Sequence, residues 1–326
     1  MRATIDLRPY RFASRALLFA MLYVGACFLL DPAIARLPAS IVGLVAGVPP
    51  ELPALREASG RVVYLGDSVV GAVAPGEDPM TRLVDIVARD CGCAILRVNH
   101  PSYGPAEQLA QLQFVSRGAS LPRAVIVPVN LRAFSPHWTE RPAWNFRARN
   151  AMLRTGWFLP IRLLVTMKYD FGALSTARFE GLPVTVRGAV RGTMLELDGR
   201  LERPMPGGHG RYVVRYATDA AQSPTVRDLR ALLDFLERSP IPSVVYFTPV
   251  DLEGLAAELS EDDMASVQRN VETIRGILGR RPYVDLSAAL PHSAFCYDPT
   301  NPTEHLCLAG REVVASRVAA ELAALH

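Results

Sequence analysis

The stretch RVVYLGDSVVG, residues 61–71, is a short β-branched, apolar run that stops at a glycine, an aspartate and a serine. Apolar residues at consecutive positions read as a strand buried on both faces, which is the pattern of a parallel sheet covered on both sides. Working outward, the same kind of run recurs at Ala94–Val98 (AILRV), Ala124–Val129 (AVIVPV), Ser243–Phe247 (SVVYF) and Tyr283–Leu286. Helical spacing of apolar residues separates these runs at Pro79–Arg89, Glu107–Val115, Asp263–Leu278 and Gly310–Leu325. Strands alternating with helices predict an α/β domain whose ligands meet the C-terminal ends of the strands. The interruption is 131–242, which follows the third strand. Its first part is aromatic and basic, and its later part, LPVTVRGAVRGTMLELDGRLERPMPGGHGRYVVRYA, alternates with glycines like a β-hairpin. The insertion either caps the site or elaborates the fold.

The chain has 326 residues, half of them apolar, and a net charge of +3. That is enough chain for one large domain. No basic block with interleaved aromatics is present, so nucleic acid is not expected as a partner. Residues 16–30, ALLFAMLYVGACFLL, carry no charge, and Arg2, Arg8, Arg11 and Arg15 precede them. With Arg15 snorkelling, the apolar segment reaches back to Ala13 and is roughly 15–18 residues long, near the lower limit for a bilayer span. The positive-inside rule then places the rest of the chain outside the cytoplasm. The expected organisation is a cytoplasmic basic tail over 1–12, a transmembrane anchor over 13–36, a Pro-rich linker over 37–60 and a catalytic domain over 61–326. This describes a single-pass protein of the inner membrane with its domain in the periplasm. The alternatives are a signal peptide cut near Ala33-Ile34-Ala35, or a lipoprotein box at Val24–Cys27, against which the continuing run Phe28–Leu30 argues. Cys91 and Cys93 lack the spacing of a zinc or redox motif, whereas Cys296 and Cys307 flank His305 and are the pair expected to be bonded in an exported domain.

Gly66-Asp67-Ser68 ends the first strand, where a turn into helix exposes a hydroxyl beside backbone N–H groups. Taken alone, that serine reads first as a helix cap. Val70 stands where a G-x-S-x-G elbow needs its second glycine. The second strand ends in Asn99-His100-Pro101-Ser102-Tyr103-Gly104, the third in Val129-Asn130, and His305-Leu306 precedes Gly310 and the last helix. In this order the blocks resemble the SGNH (GDSL-like) hydrolase family: a GDS block, an Asn-x-x-x-x-Gly block, an Asn after the third strand and a late Asp-x-x-His. The resemblance runs from about Arg61 to Leu325 with the insertion unmatched.

It implies a flavodoxin-like three-layer parallel sheet and a serine esterase or O-acyltransferase. Ser68 is then the nucleophile and His305 its base, since an imidazole of pKa about 6.5 exchanges protons near neutral pH. The oxyanion hole would be the N–H groups of Ser68 and Gly104 with the Asn130 amide. The chain departs from the family at Val129 and Leu131, which flank Asn130, and at Pro302, which stands where the acid is expected. Deleting Asn301–Glu304 restores Asp-x-x-His and points to Asp298 as the acid. Glu304, or a Ser–His pair with no acid, are the alternatives. Trp138 and Trp144, with Arg132, Arg141, Arg147 and Arg149, form a candidate sugar- or anion-binding face, or else an amphipathic segment packed on membrane or core. His100 either lines the cleft or is structural. No H-E-x-x-H, G-x-G-x-x-G or P-loop pattern appears, so neither metal nor cofactor is expected. Anchored SGNH-like domains resemble accessory proteins of cell-envelope acylation. That resemblance implies an envelope polysaccharide or other acylated glycan as substrate and a multi-spanning membrane acyltransferase as partner. The rival reading is a non-catalytic envelope scaffold.

Overall fold

In the computed structural model, β1 (Val62–Gly66) pairs in parallel with β2 (Ile95–Asn99) on one side and β3 (Ala124–Val129) on the other. β4 (Ser243–Phe247) and β5 (Val284–Asp285) extend the sheet beyond β3, giving the order β2-β1-β3-β4-β5, all parallel. The structure describes residues 8–34, 36, 49, 51–74, 76–100, 103–118, 120–135, 143–162, 209–296 and 304–325. The expected α/β class, parallel sheet and flavodoxin-like strand order are all present.

Side chains alternate along each strand and so feed two cores. Val63, Leu65, Val125, Val127 and Phe247 face α5 (Pro105–Val115), α7 (Pro224–Arg238) and α9 (Glu261–Leu278). Val62, Tyr64, Ile126 and Tyr246 face α4 (Leu83–Cys91) and α10 (Leu308–Ala324). The remaining helices are α1 (Arg8–Ile34), α2 (Leu52–Arg56), α3 (Ser68–Gly71), α6 (Ala143–Thr155) and α8 (Leu252–Glu258). Every strand is buried on both faces except at the sheet edges, as continuous apolar runs require.

Three expectations change. First, α7 lies inside the expected insertion 131–242 yet is a core crossover helix between β3 and β4. Ser223 caps it, Pro224 opens it, and Leu229, Leu232, Leu233 and Leu236 are buried at helical spacing. Second, Arg211–Ala217, read as part of a hairpin, is helical: His209–Tyr212 runs into a π-helical turn at Val213–Ala217 that buries Arg215 and Tyr216. Packing against α9 overrides the alternation, with Asn270 donating to the carbonyls of Tyr216 and Thr218 at 2.7 and 2.8 Å. The preceding part of the expected hairpin lies outside the described residues.

Third, the anchor expected over 13–36 falls on α1, but among the described residues no helix is long and apolar enough to cross a membrane. The uncharged run 16–30 spans about 22 Å at 1.5 Å per residue, short of a hydrocarbon core of about 30 Å. The residue that ends it, Asp31, is buried against the domain. Its carboxylate accepts the N–H groups of Phe158 at 2.9 Å and Leu159 at 2.9 Å, and Phe28 packs edge-on to Trp157.

The disulfide between Cys296 and Cys307 forms as expected. Cys91 and Cys93 are bonded to each other as well, a pairing that metal and redox spacings did not suggest.

Candidate active site

The turn at Ser68 is built by its neighbours rather than by Ser68 itself. Asp67 caps α3, accepting the Val69 N–H at 2.9 Å. Asn99, in register with Gly66, donates to the Asp67 carbonyl at 3.0 Å, and Asn130 donates to the Asp67 carboxylate at 3.1 Å. A Cβ on Gly66 would sit 2.4 Å from Val70 Cγ2, so only glycine lets the strand end pass under the helix. Ser68, half-buried at the first turn of α3, is thereby held at the C-terminal edge of the sheet.

His305 reaches this hydroxyl from the other end of the chain. Its Nε2 lies 3.3 Å from Ser68 Oγ across 237 residues. A hydroxyl at that distance from an imidazole can lose its proton as it attacks an electrophilic carbonyl.

No family model matches the sequence, and no curated protein matches it. Solved structures to which the chain is similar include a lipase/acylhydrolase from Enterococcus faecalis (TM-score 0.38, 13% identity, 80% of this chain and 95% of the other). Others are the salicylyl-acyltransferase SsfX3 of a tetracycline biosynthetic pathway (0.38, 13%, 82% and 55%) and an inhibitor-bound aryl esterase of M. smegmatis (0.35, 12%, 82% and 100%).

Of the expected oxyanion donors, Asn130 sits beside Asp67 and uses one amide proton there, leaving the second for a ligand. Gly104 is near, since both residues line a cavity of about 10 Å³ with Asp67, Tyr103 and Gln108, room for about one water. The Gly104 N–H, however, is given to the Glu107 carboxylate at 2.9 Å, and Asn150 of α6 donates to the other Glu107 oxygen at 2.9 Å. Burial pushes the Glu107 carboxyl up, against the pull of those bonds. Gly104 therefore serves an oxyanion only when Glu107 releases it.

Among the acids, Asp298 lies outside the described residues, as do Trp138 and Arg141, while Trp144 falls on α6. Glu304 is buried, ion-paired with Arg132, and accepts the Tyr216 hydroxyl at 2.7 Å. Burial pushes its carboxyl up while Arg132 pulls it down. The alternative acid is thus committed to other partners. His100 stacks on Tyr103 with ring centroids 4.9 Å apart, and Phe146 of α6 packs edge-on against both. The insertion therefore rests its first described helix on the glycine block. Among the described residues no group of His, Cys, Asp and Glu is arranged to hold a metal ion.

Glu107 is not singled out by the sequence reading, although it stands three residues past Gly104 at a helix start, the spacing by which a side chain reaches back to the N-cap.

Proposed function

We propose that this chain is a membrane-attached serine esterase or O-acyltransferase of the SGNH type, with Ser68 as nucleophile, His305 as base and Asp298 as the acid that orients it. The observation that carries this reading is the 3.3 Å approach of His305 Nε2 to Ser68 Oγ. Ser68 Oγ bonds to an ester carbonyl carbon as its proton passes to His305 Nε2, and the carbonyl electrons move to oxygen. The Ser68 N–H, the free Asn130 amide proton and, once Glu107 lets go, the Gly104 N–H donate to that oxyanion. Collapse breaks the bond to the leaving alcohol, which takes the proton from the imidazolium. A second hydroxyl then repeats the steps in reverse on the acyl-enzyme.

The acceptor we favour is a sugar hydroxyl of an envelope polysaccharide, with a multi-spanning acyltransferase as donor partner. A tether that holds the domain at a membrane-bound donor, and an insertion seated on the glycine block, both support transfer over hydrolysis. Exposed Leu17, Leu18, Phe19, Met21, Leu22, Leu29 and Leu30 on α1 support the membrane attachment, because a helix apolar all round needs an apolar surrounding. Disulfides at Cys91–Cys93 and Cys296–Cys307 support a domain outside the cytoplasm, facing the periplasm.

A fluorophosphonate probe should label the protein at Ser68. Adding an oligosaccharide acceptor to a small activated ester should speed turnover and yield acylated sugar. Many turnovers of deacylation on an acylated glycan, with no acylated product, would make the protein a hydrolase. Carbonate extraction should leave the chain in the membrane pellet, and its release would remove the attachment.

A further inference from the structure

The two largest fully buried side chains among the described residues are both arginines, Arg132 and Arg311. An arginine belongs in a core only at a cost, because the desolvation of its charge is seldom recovered by pairing. Both lie against the few residues that carry His305.

Arg311 stands in the first turn of α10, with its guanidinium spread over two segments. Nη1 donates to the Leu306 carbonyl at 2.6 Å, one residue past His305. Nε donates to the Thr81 carbonyl at 2.7 Å, and Nη2 reaches Glu77 and the Thr81 hydroxyl, the latter at 3.3 Å. Glu77 also accepts the Leu308 N–H at 3.2 Å and the Ala74 N–H at 3.3 Å. Glu77 and Thr81 belong to the chain that leaves the nucleophile helix. Arg132, two residues past Asn130, holds Glu304, one residue before His305. Its own N–H is bonded to Asn130 Oδ1 at 3.0 Å.

We infer that Arg132 and Arg311 are positioning residues for His305, each gripping one neighbour of the base and tying it to a different part of the nucleophile end. Arg311 links Leu306 to the segment that follows Ser68, and Arg132 links Glu304 to the segment that carries Asn130. The inference rests on the reading of His305 as base. A buried ionic contact is a weak stabiliser, and its attested use is to hold one arrangement against others. Here the arrangement is the 3.3 Å approach of His305 to Ser68. No local element provides it, because His305 sits in neither helix nor strand.

The test is the second-order rate of fluorophosphonate labelling, measured with thermal denaturation of each variant. Glu77 is partly exposed, so Glu77→Gln should fold and still lose labelling by about 10²-fold, the scale of a misplacement of about 1 Å. Glu77→Asp should recover part of that loss. In a His305→Ala background, Glu77→Gln should cost nothing further, because its effect passes through the imidazole. Arg311→Lys should behave like Glu77→Gln; should it fail to fold, the Glu77 cycle decides alone. If the Glu77→Gln and His305→Ala losses multiply, or if Glu77→Gln leaves labelling untouched, the positioning role is overturned while the base stands. If His305→Ala labels at the full rate, the base reading fails and takes this inference with it.

Discussion

The Ser68 turn and the His305 segment meet across 3.3 Å but are held in opposite ways. Every bond that shapes the Ser68 turn comes from a strand end of the same sheet: Asp67 and Gly66 from β1, Asn99 from β2, Asn130 from β3. Among the described residues the His305 segment has no strand of its own beyond one isolated antiparallel bridge, Phe295 to Leu306. It is fastened by the Cys296–Cys307 disulfide, by the Cys296 N–H donating to the His305 carbonyl at 2.8 Å, and by the two buried arginines. A turn fixed by the sheet is as rigid as the sheet, whereas a segment fixed by side-chain clamps can be moved by a single substitution.

That contrast is open to attack at several points. Ser68→Ala should abolish probe labelling, and equal labelling of the variant would move the nucleophile elsewhere. Asp298→Asn should cost about 10⁴-fold in esterase rate, the scale of a lost orienting acid, against at most about 10²-fold for Glu304→Gln. Steady-state kinetics on an activated ester would show whether the order is reversed. Replacing both Cys296 and Cys307 by Ser should lower stability by about 2–4 kcal/mol and labelling with it. Urea unfolding followed in parallel with labelling would detect a segment that needs no disulfide. Gly66→Ala should destabilise by about 1–3 kcal/mol, because its methyl would meet Val70, and thermal denaturation measures it.

The smallest effect is one of pH. Burial alone would raise the Glu77 carboxyl, but bonds from Arg311, Leu308 and Ala74 hold it below the ordinary carboxylate range. A depressed carboxylate contributes stability above its unfolded pKa and loses that contribution as pH falls through its folded value. Stability should therefore decline below about pH 4.3, and less steeply in Glu77→Gln. Parallel denaturation curves across that window check it; identical slopes would remove Glu77 from the clamp.

The same contrast explains what was legible. β1, β3 and β4 follow from apolar runs because a parallel strand buried on both faces is written that way, and the edge strands β2 and β5 from shorter or less regular runs. The meeting of Asn130 with the Gly66–Ser68 turn follows from strand ends, where order along the chain and position in the sheet coincide, whereas Gly104 lies beyond β2 and gives its N–H to Glu107. The helix α7 carried a clear signal, with Leu229, Leu232, Leu233 and Leu236 at helical spacing, but was absorbed into the insertion by its neighbours. Val213–Ala217 alternates like a strand in sequence yet forms a π-helical turn, because its packing against α9 decides its conformation.

What the amino-acid order determined by itself is the parallel α/β sheet, the turn that presents Ser68, and the Cys296–Cys307 pair around His305. Each rests on interactions between near neighbours or on a periodicity that repeats within a few residues. The tertiary structure alone decided that Asp31 turns into the domain at the end of α1 and that Asn150 of α6 reaches the Glu107 carboxylate. It also decided that Glu304 turns to Arg132 and that Arg311 holds Leu306. These are charged side chains whose partners lie far away in sequence or on another element. A charge shows its sign in the sequence, and its partner only once folding has removed the water between them.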